Sequence, residues 1–180
     1  ALQSIAGSMP GQAEIFPIGK STQGRSLTAL RFHRDSGRAD DAPKPGIAFL
    51  GTHHAREHLS TEVPLLIARW IAENRGREDV KRLLETRDIY FIPLVNPDGV
   101  EYDIGTSRYK WHRKNMRDNG DGSLGVDLNR NYAFRWGGEG SSDNPGSDTY
   151  HGPSAFSEPE TQAVKNFLTA RPNIRIVLSY

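Results

Sequence analysis

The chain has 180 residues, of which 36% are hydrophobic, with 23 basic side chains against 22 acidic ones. That balance suits one globular domain with enough apolar material for a core, and the formal net charge of +1 gives no overall pull toward nucleic acid or an anionic membrane. There is no cysteine, which excludes disulfides and thiolate metal sites and leaves His, Asp and Glu as the strong metal donors.

In chain order, residues 1–7 place Leu2, Ile5 and Ala6 on one side and read as the end of an amphipathic helix, so the chain is expected to begin inside an element. They lack the basic and apolar segments of a signal peptide, and no apolar run approaches the ~20 residues a membrane helix needs. Residues 14–18 and 26–33 are predicted strands around the turn residues 19–24, followed by a surface loop over 34–46 rich in Asp, Pro and Gly. The apolar run 47–50, bounded by Gly46 and Gly51, is a predicted buried strand. It releases the cluster T-H-H-A-R-E-H at 52–58 just past its carboxyl end.

Val63, Leu66, Ile67, Trp70 and Ile71 have the spacing of a helix packed on one face, predicted over 61–75 with Thr61 as its cap and Pro64 in its first turn. A shorter helix is predicted over 79–86 and a buried strand over 89–95, including Pro93. Asn96-Pro97-Asp98-Gly99 is a strong turn signal at that strand's end. From 100 to 152 apolar content drops, and a loop of that length inside a compact domain is usually functional. Ser157-x-x-Glu160 reads as a capping box opening a helix with Ala163, Val164, Phe167 and Leu168 on one face, closed by Arg171-Pro172. Residues 174–180 form a last apolar strand. There is no internal repeat and no domain boundary.

Three constellations could carry chemistry. His54-x-x-Glu57 sets a nitrogen donor at a strand end and a carboxylate about one turn later, so both can converge on one ion; the carboxyl rim of strands in an open α/β sheet is also where ligands bind. A His and a Glu three apart is nonetheless a common surface pair, and the zincin pattern H-E-x-x-H is absent. Trp111-His112-Arg113-Lys114-Asn115 sits in a basic run interleaved with aromatics, readable as a nucleic-acid patch or as a solvated loop; the loop is preferred. Asp127-Leu128-Asn129-Arg130-Asn131 offers a guanidinium fork beside an amide donor, a pair that suits a carboxylate, although alone it is an ordinary polar turn. The acidic segment 118–127 fails as a calcium loop. With Asp121-Gly122 at the fifth and sixth positions, Arg117 falls at the first, where a carboxylate is needed.

Taken together and in order, G-T-H-H-A-R-E, N-P-D-G, W-H-R-K-N, G-V-D-L-N-R-N-Y and T-Y-H-G-P-S-A-F-S-E-P-E-T resemble the zinc metallocarboxypeptidase family of carboxypeptidase A type, especially its secreted bacterial members. The resemblance implies an α/β fold with a mixed, largely parallel central sheet flanked by helices. It implies one zinc ion held by His54 and Glu57, with Asp127 orienting the His54 ring. Arg113 resembles the family's oxyanion-stabilising arginine, Asn129 and Arg130 its grip on the substrate's C-terminal carboxylate, and Arg56 a further substrate-side cation. The implied partners are peptide or protein C-termini, with neither nucleic acid nor membrane, and the implied location is extracellular.

The family's third zinc ligand is a histidine directly after the strand matching 174–180, and its substrate-capping tyrosine, specificity pocket and general-base glutamate come later still. This sequence stops at Tyr180. Residues 1–180 are therefore expected to be a partial catalytic domain with weak zinc affinity, little hydrolysis, and self-association through an exposed sheet edge. His58, at i+4 from His54, is the nearest substitute ligand, and His53 is expected to point away. Rival readings are a zinc deacylase of N-acyl amino acids resembling aspartoacylase, a hydrolase of cell-wall peptides, and a non-catalytic module that binds free C-terminal carboxylates.

Overall fold

A computed structural model describes residues 1–33, 44–106 and 108–180, so most of the predicted 34–46 loop lies outside the described residues. Strands β1 (Ala13–Lys20), β2 (Ser26–Phe32), β3 (Gly46–Leu50), β4 (Asp88–Ile92) and β5 (Ile174–Ser179) form one sheet in the order β1-β2-β4-β3-β5. β1 pairs antiparallel with β2, as a short turn requires, and β2 pairs antiparallel with β4. β3 pairs parallel with both β4 and β5, because helical crossovers separate those strands in the chain. The parallel pairing expected of the sheet is thus confined to its β4-β3-β5 half.

Helices α1 (Leu2–Gly7), α2 (Leu59–Glu73) and α3 (Glu78–Thr86) cover one face of the sheet, burying Ile5, Leu65, Ile71 and Leu84 against Leu30, Phe32, Phe49 and Phe91. Helix α5 (Pro159–Thr169) covers the other, where Val164 and Phe167 meet Ala29, Ala48, Leu50, Tyr90 and Ile92. Successive residues of a strand face opposite sides, so the central strands are buried on both faces. That is why 47–50 and 89–92 read as unbroken apolar runs rather than alternating ones.

Helix α2 begins at Leu59, two residues before the predicted cap, so Pro64 stands inside the helix. Its buried face is Pro64, Leu65, Ala68, Ile71 and Ala72, while Leu66 and Trp70 are 55% and 48% exposed. Both stripes have helical spacing, and small residues at 68 and 72 let the second approach the sheet closely. β4 ends at Ile92, before Pro93, which has no N–H for a ladder. The Asn-Pro-Asp-Gly signal opens a further helix, α4 (Pro97–Ile104), with the Asn96 side chain accepting from Gly99 N and Pro97 in the first turn. The capping box at Ser157 does not form: α5 starts at Pro159, Ser157 Oγ donates to Glu158, and the Glu160 carboxylate accepts from Thr22 and Asn115.

Candidate metal centre

Because β3, β4 and β5 run parallel, their carboxyl ends share one rim, and the T-H-H-A-R-E-H cluster leaves the sheet there. Gly51 makes the exit: a Cβ at this position would lie 2.2 Å from Ser60 O and 2.6 Å from Pro93 O. Thr52 follows in the left-handed region at φ 56, a costly conformation for a β-branched residue. It is held by Ser60 Oγ accepting from Thr52 N at 3.1 Å and by Thr52 Oγ1 meeting Thr61 Oγ1 at 2.5 Å. The strain reverses the chain, so that His53 and His54 face different neighbours.

The His54 ring is buried between two carboxylates. Its Nδ1 lies 2.9 Å from Glu57 Oε2, and its Nε2 lies 2.9 Å from Asp127 Oδ1. Asp127 is fully buried, and its second oxygen accepts from Arg113 Nε at 3.1 Å and Nη2 at 3.0 Å, a two-pronged contact. Arg113 Nη1 also stands 3.6 Å from Glu57 Oε1. Burial alone would raise the Asp127 pKa, but the His54 hydrogen bond and charge and the Arg113 guanidinium outweigh it and hold the carboxyl below its ordinary value.

Asp127 also shapes the next segment. Its Oδ1 accepts from Asn129 N at 3.0 Å and caps a single 3₁₀ turn, Leu128–Arg130. Asn129 is exposed. Arg130 donates Nε to Gly140 O at 2.9 Å and Nη1 to Asn129 O at 3.1 Å, which leaves three of its five N–H donors for a ligand. Arg56 stays at the rim, bonded to Asp148 at 3.0 Å and to Trp111 O at 3.3 Å. The structure thus brings His54, Glu57, Asp127 and Arg113 into one bonded group, with Asn129 and Arg130 joined to it through the backbone and Arg56 beside it.

A sequence profile described as zinc carboxypeptidase matches residues 1–180. The chain belongs to the zinc carboxypeptidase family. It is 36% identical to the metallocarboxypeptidase A-like protein of Trichophyton verrucosum over 167 residues, and 31% identical to carboxypeptidase A2 of Rattus norvegicus over 179 residues. Those alignments cover 93% and 99% of this chain but 38% and 41% of the two proteins. The crystal structure of carboxypeptidase A from Helicoverpa armigera superposes with a TM-score of 0.86 at 32% identity, covering 99% of this chain and 42% of that one. The chain therefore spans about two fifths of the length of these relatives.

The two side chains at 54 and 57 are of donor types that zinc takes. In this structure His54 Nδ1 and Glu57 Oε2, 2.9 Å apart, are hydrogen-bond partners, and Asp127 on the opposite nitrogen fixes the ring as a carboxylate does behind a ligating histidine. Among the described residues no group of three His, Asp or Glu side chains is arranged to hold an ion. His58 is turned to a different carboxylate, its Nε2 bonding Asp103 Oδ2 at 3.0 Å. His53 turns away, with Nε2 on the Tyr132 hydroxyl at 2.7 Å and its pKa lowered to about 4 by burial, so the ring is neutral.

Two positioning features escaped the sequence reading. Asn96, fully buried, donates Nδ2 to both His53 O and Lys114 O at 3.1 Å, tying the histidine turn to the arginine segment. Asp98 accepts from Ser21 Oγ at 2.8 Å, Gln23 N at 2.7 Å and Arg25 Nη1 at 2.7 Å, anchoring the β1–β2 turn. An Asn-Pro pair is as much a helix-start signal as a turn signal, and that was the available clue.

Proposed function

We propose that this chain carries the metal-binding and carboxylate-binding part of a zinc-dependent carboxypeptidase, a secreted exopeptidase that removes C-terminal residues from peptides and proteins. The reading is carried by the unbroken line of contacts from Glu57 through His54 and Asp127 to Arg113, with the Asn129–Arg130 turn capped by the same Asp127. His54, through Nδ1, and Glu57 are the proposed zinc ligands. When bound, the ion supplies Lewis acidity to the scissile carbonyl and lowers the pKa of water.

The chain's own residues do the rest of the positioning. Asp127 fixes the His54 ring and holds Arg113 at the rim, where its guanidinium can stabilise charge developing on the carbonyl oxygen. The three uncommitted donors of Arg130 and the Asn129 amide take the substrate's terminal carboxylate. Gripping that end sets the register, so that only the last peptide bond reaches the metal, and Arg56 adds a cation on the substrate side. A third ligand is proposed to follow Tyr180. Tyr180 N donates to Leu50 O at 3.0 Å, which aims the end of β5 at the turn carrying His53 and His54. On this reading residues 1–180 are part of a catalytic domain, and by themselves they bind zinc weakly and hydrolyse little.

With two donors gathered among the described residues, a second reading applies to the chain alone: recognition of free C-terminal carboxylates without hydrolysis. Identities of 31% and 36% to carboxypeptidases favour peptides over N-acyl amino acids as the substrate class. Equilibrium dialysis with zinc, together with binding of one peptide as free acid and as amide, tests both readings. The free acid should bind about tenfold more tightly, equivalent to one charge-assisted contact, and Arg130→Ala should abolish the difference. Equal binding of acid and amide by the parent chain would sink the grip, and full zinc occupancy with ordinary turnover would sink the partial site.

A further inference from the structure

The grip proposed above lies on a 3₁₀ turn of only three residues, with Leu128 buried and Asn129 exposed, a length with little rigidity of its own. Something must fix it. One end is held by Asp127, as described. The other end is Asn131, which is fully buried and closes the turn by donating its N–H to Leu128 O at 3.2 Å.

Every polar atom of the Asn131 side chain is engaged. The two hydrogens of Nδ2 are shared among three acceptors, His151 O at 2.9 Å, Ser154 O at 3.0 Å and Ser157 Oγ at 2.8 Å. Oδ1 accepts from Glu158 N at 3.2 Å and Thr161 Oγ1 at 2.7 Å. Its backbone carbonyl accepts from Phe156 N at 2.6 Å. The set demands an asparagine: an aspartate would turn an oxygen toward two carbonyls, and an aliphatic residue would orphan several buried groups. Gly152 is fitted to the same spot, since a Cβ there would fall 2.9 Å from Asn131 Nδ2. The partners lie on the 151–157 loop and at the start of α5, and among the described residues the side-chain hydrogen bonds and ion pairs of the proposed ligands His54 and Glu57 go instead to each other, to Asp127 and to Arg113.

We infer that Asn131 is a positioning residue for the carboxylate grip, fastening Asn129 and Arg130 to the first turn of α5 so that their donors keep a fixed place relative to Asp127. The inference rests on the carboxylate reading of those two residues. Its consequence is that a hydroxyl on α5, Thr161, influences recognition of a substrate it does not reach.

Thr161→Val removes one donor to Asn131 and leaves Asn131 itself in place, and Thr161→Ser restores the hydroxyl. Two readouts are taken on the parent chain and both variants: amide hydrogen exchange over residues 128–131, and the ratio of affinities for a peptide as free acid and as amide. With the melting temperature largely retained, Thr161→Val should speed exchange in the turn by about 2–10-fold, the equivalent of one net hydrogen bond, and lower the acid-over-amide ratio by a similar factor. Thr161→Ser should return both to the parent values. Unchanged exchange in Thr161→Val, or faster exchange with the ratio intact, overturns the inference. A parent chain that binds acid and amide alike overturns the carboxylate reading instead, while the exchange result still decides whether Asn131 fixes the turn.

Discussion

Asp127 and Glu160 are both buried carboxylates, and they shift in opposite directions for reasons that can be named. Burial raises each. At Asp127 the His54 and Arg113 contacts outweigh it, whereas Glu160 has only neutral donors, Thr22 N at 2.8 Å and Asn115 Nδ2 at 3.1 Å, so its pKa ends above the ordinary 4.5. Between that ordinary value and the raised folded one, the folded chain keeps a proton the unfolded chain has released. Stability contributed at Glu160 therefore falls as pH rises through that window. Glu160→Gln removes the titration at the expense of one bond to Asn115, a loss that does not depend on pH. Melts of parent and variant across the window should show their difference moving in the variant's favour as pH rises; a constant difference would mean that Glu160 ionises at its ordinary value.

At the scale of the element, helix α2 decides how β3 and its histidine turn sit on the sheet, because Ser60 and Thr61 in its first turn hold Thr52. The predicted apolar stripe and the one that is buried share Ile71 but diverge at Leu66 and Trp70, which are left half exposed. Ile71 is buried in the core and Leu66 is half exposed. Ile71→Ala should destabilise the chain by about 2–5 kcal/mol, the usual effect of a large core truncation, while Leu66→Ser should change it by no more than about 0.5 kcal/mol. Urea denaturation of the two variants checks this, and the reverse order would show that the helix is rotated from the packing described.

At the scale of the whole molecule, β5 stands last in the order of the described strands, and within residues 1–180 its Ile176, Val177, Leu178 and the following Tyr180 are exposed. A flat apolar edge with free backbone groups is a template for pairing with another chain. Prepared by themselves, residues 1–180 should therefore self-associate as concentration rises, and Val177→Lys should shift them toward monomer, both read by light scattering. A clean monomer at high concentration would mean that this edge is protected. Among the described residues no helix is long and apolar enough to cross a membrane.

Much of this was legible in the residues alone. The strands around the rim, helix α5 and the ordered motifs at 51–57, 111–115 and 127–131 could be read off the chain, because apolar runs, glycine breaks and rare donor residues are local signals. The same motifs placed the chain in its family and singled out seven residues, of which His54, Glu57, Asp127 and Arg113 are bonded in one group. Local signals could not decide which stripe of α2 faces the sheet, since burial depends on what lies opposite. Nor could they decide whether Asn96 ends a strand or opens a helix, or that Glu160 serves Thr22 and Asn115 rather than its own helix end. Those outcomes belong to tertiary structure. A buried polar group takes whichever partner packing brings within about 3 Å, and at Asp127, Asn96 and Asn131 most of those partners lie far away in the chain.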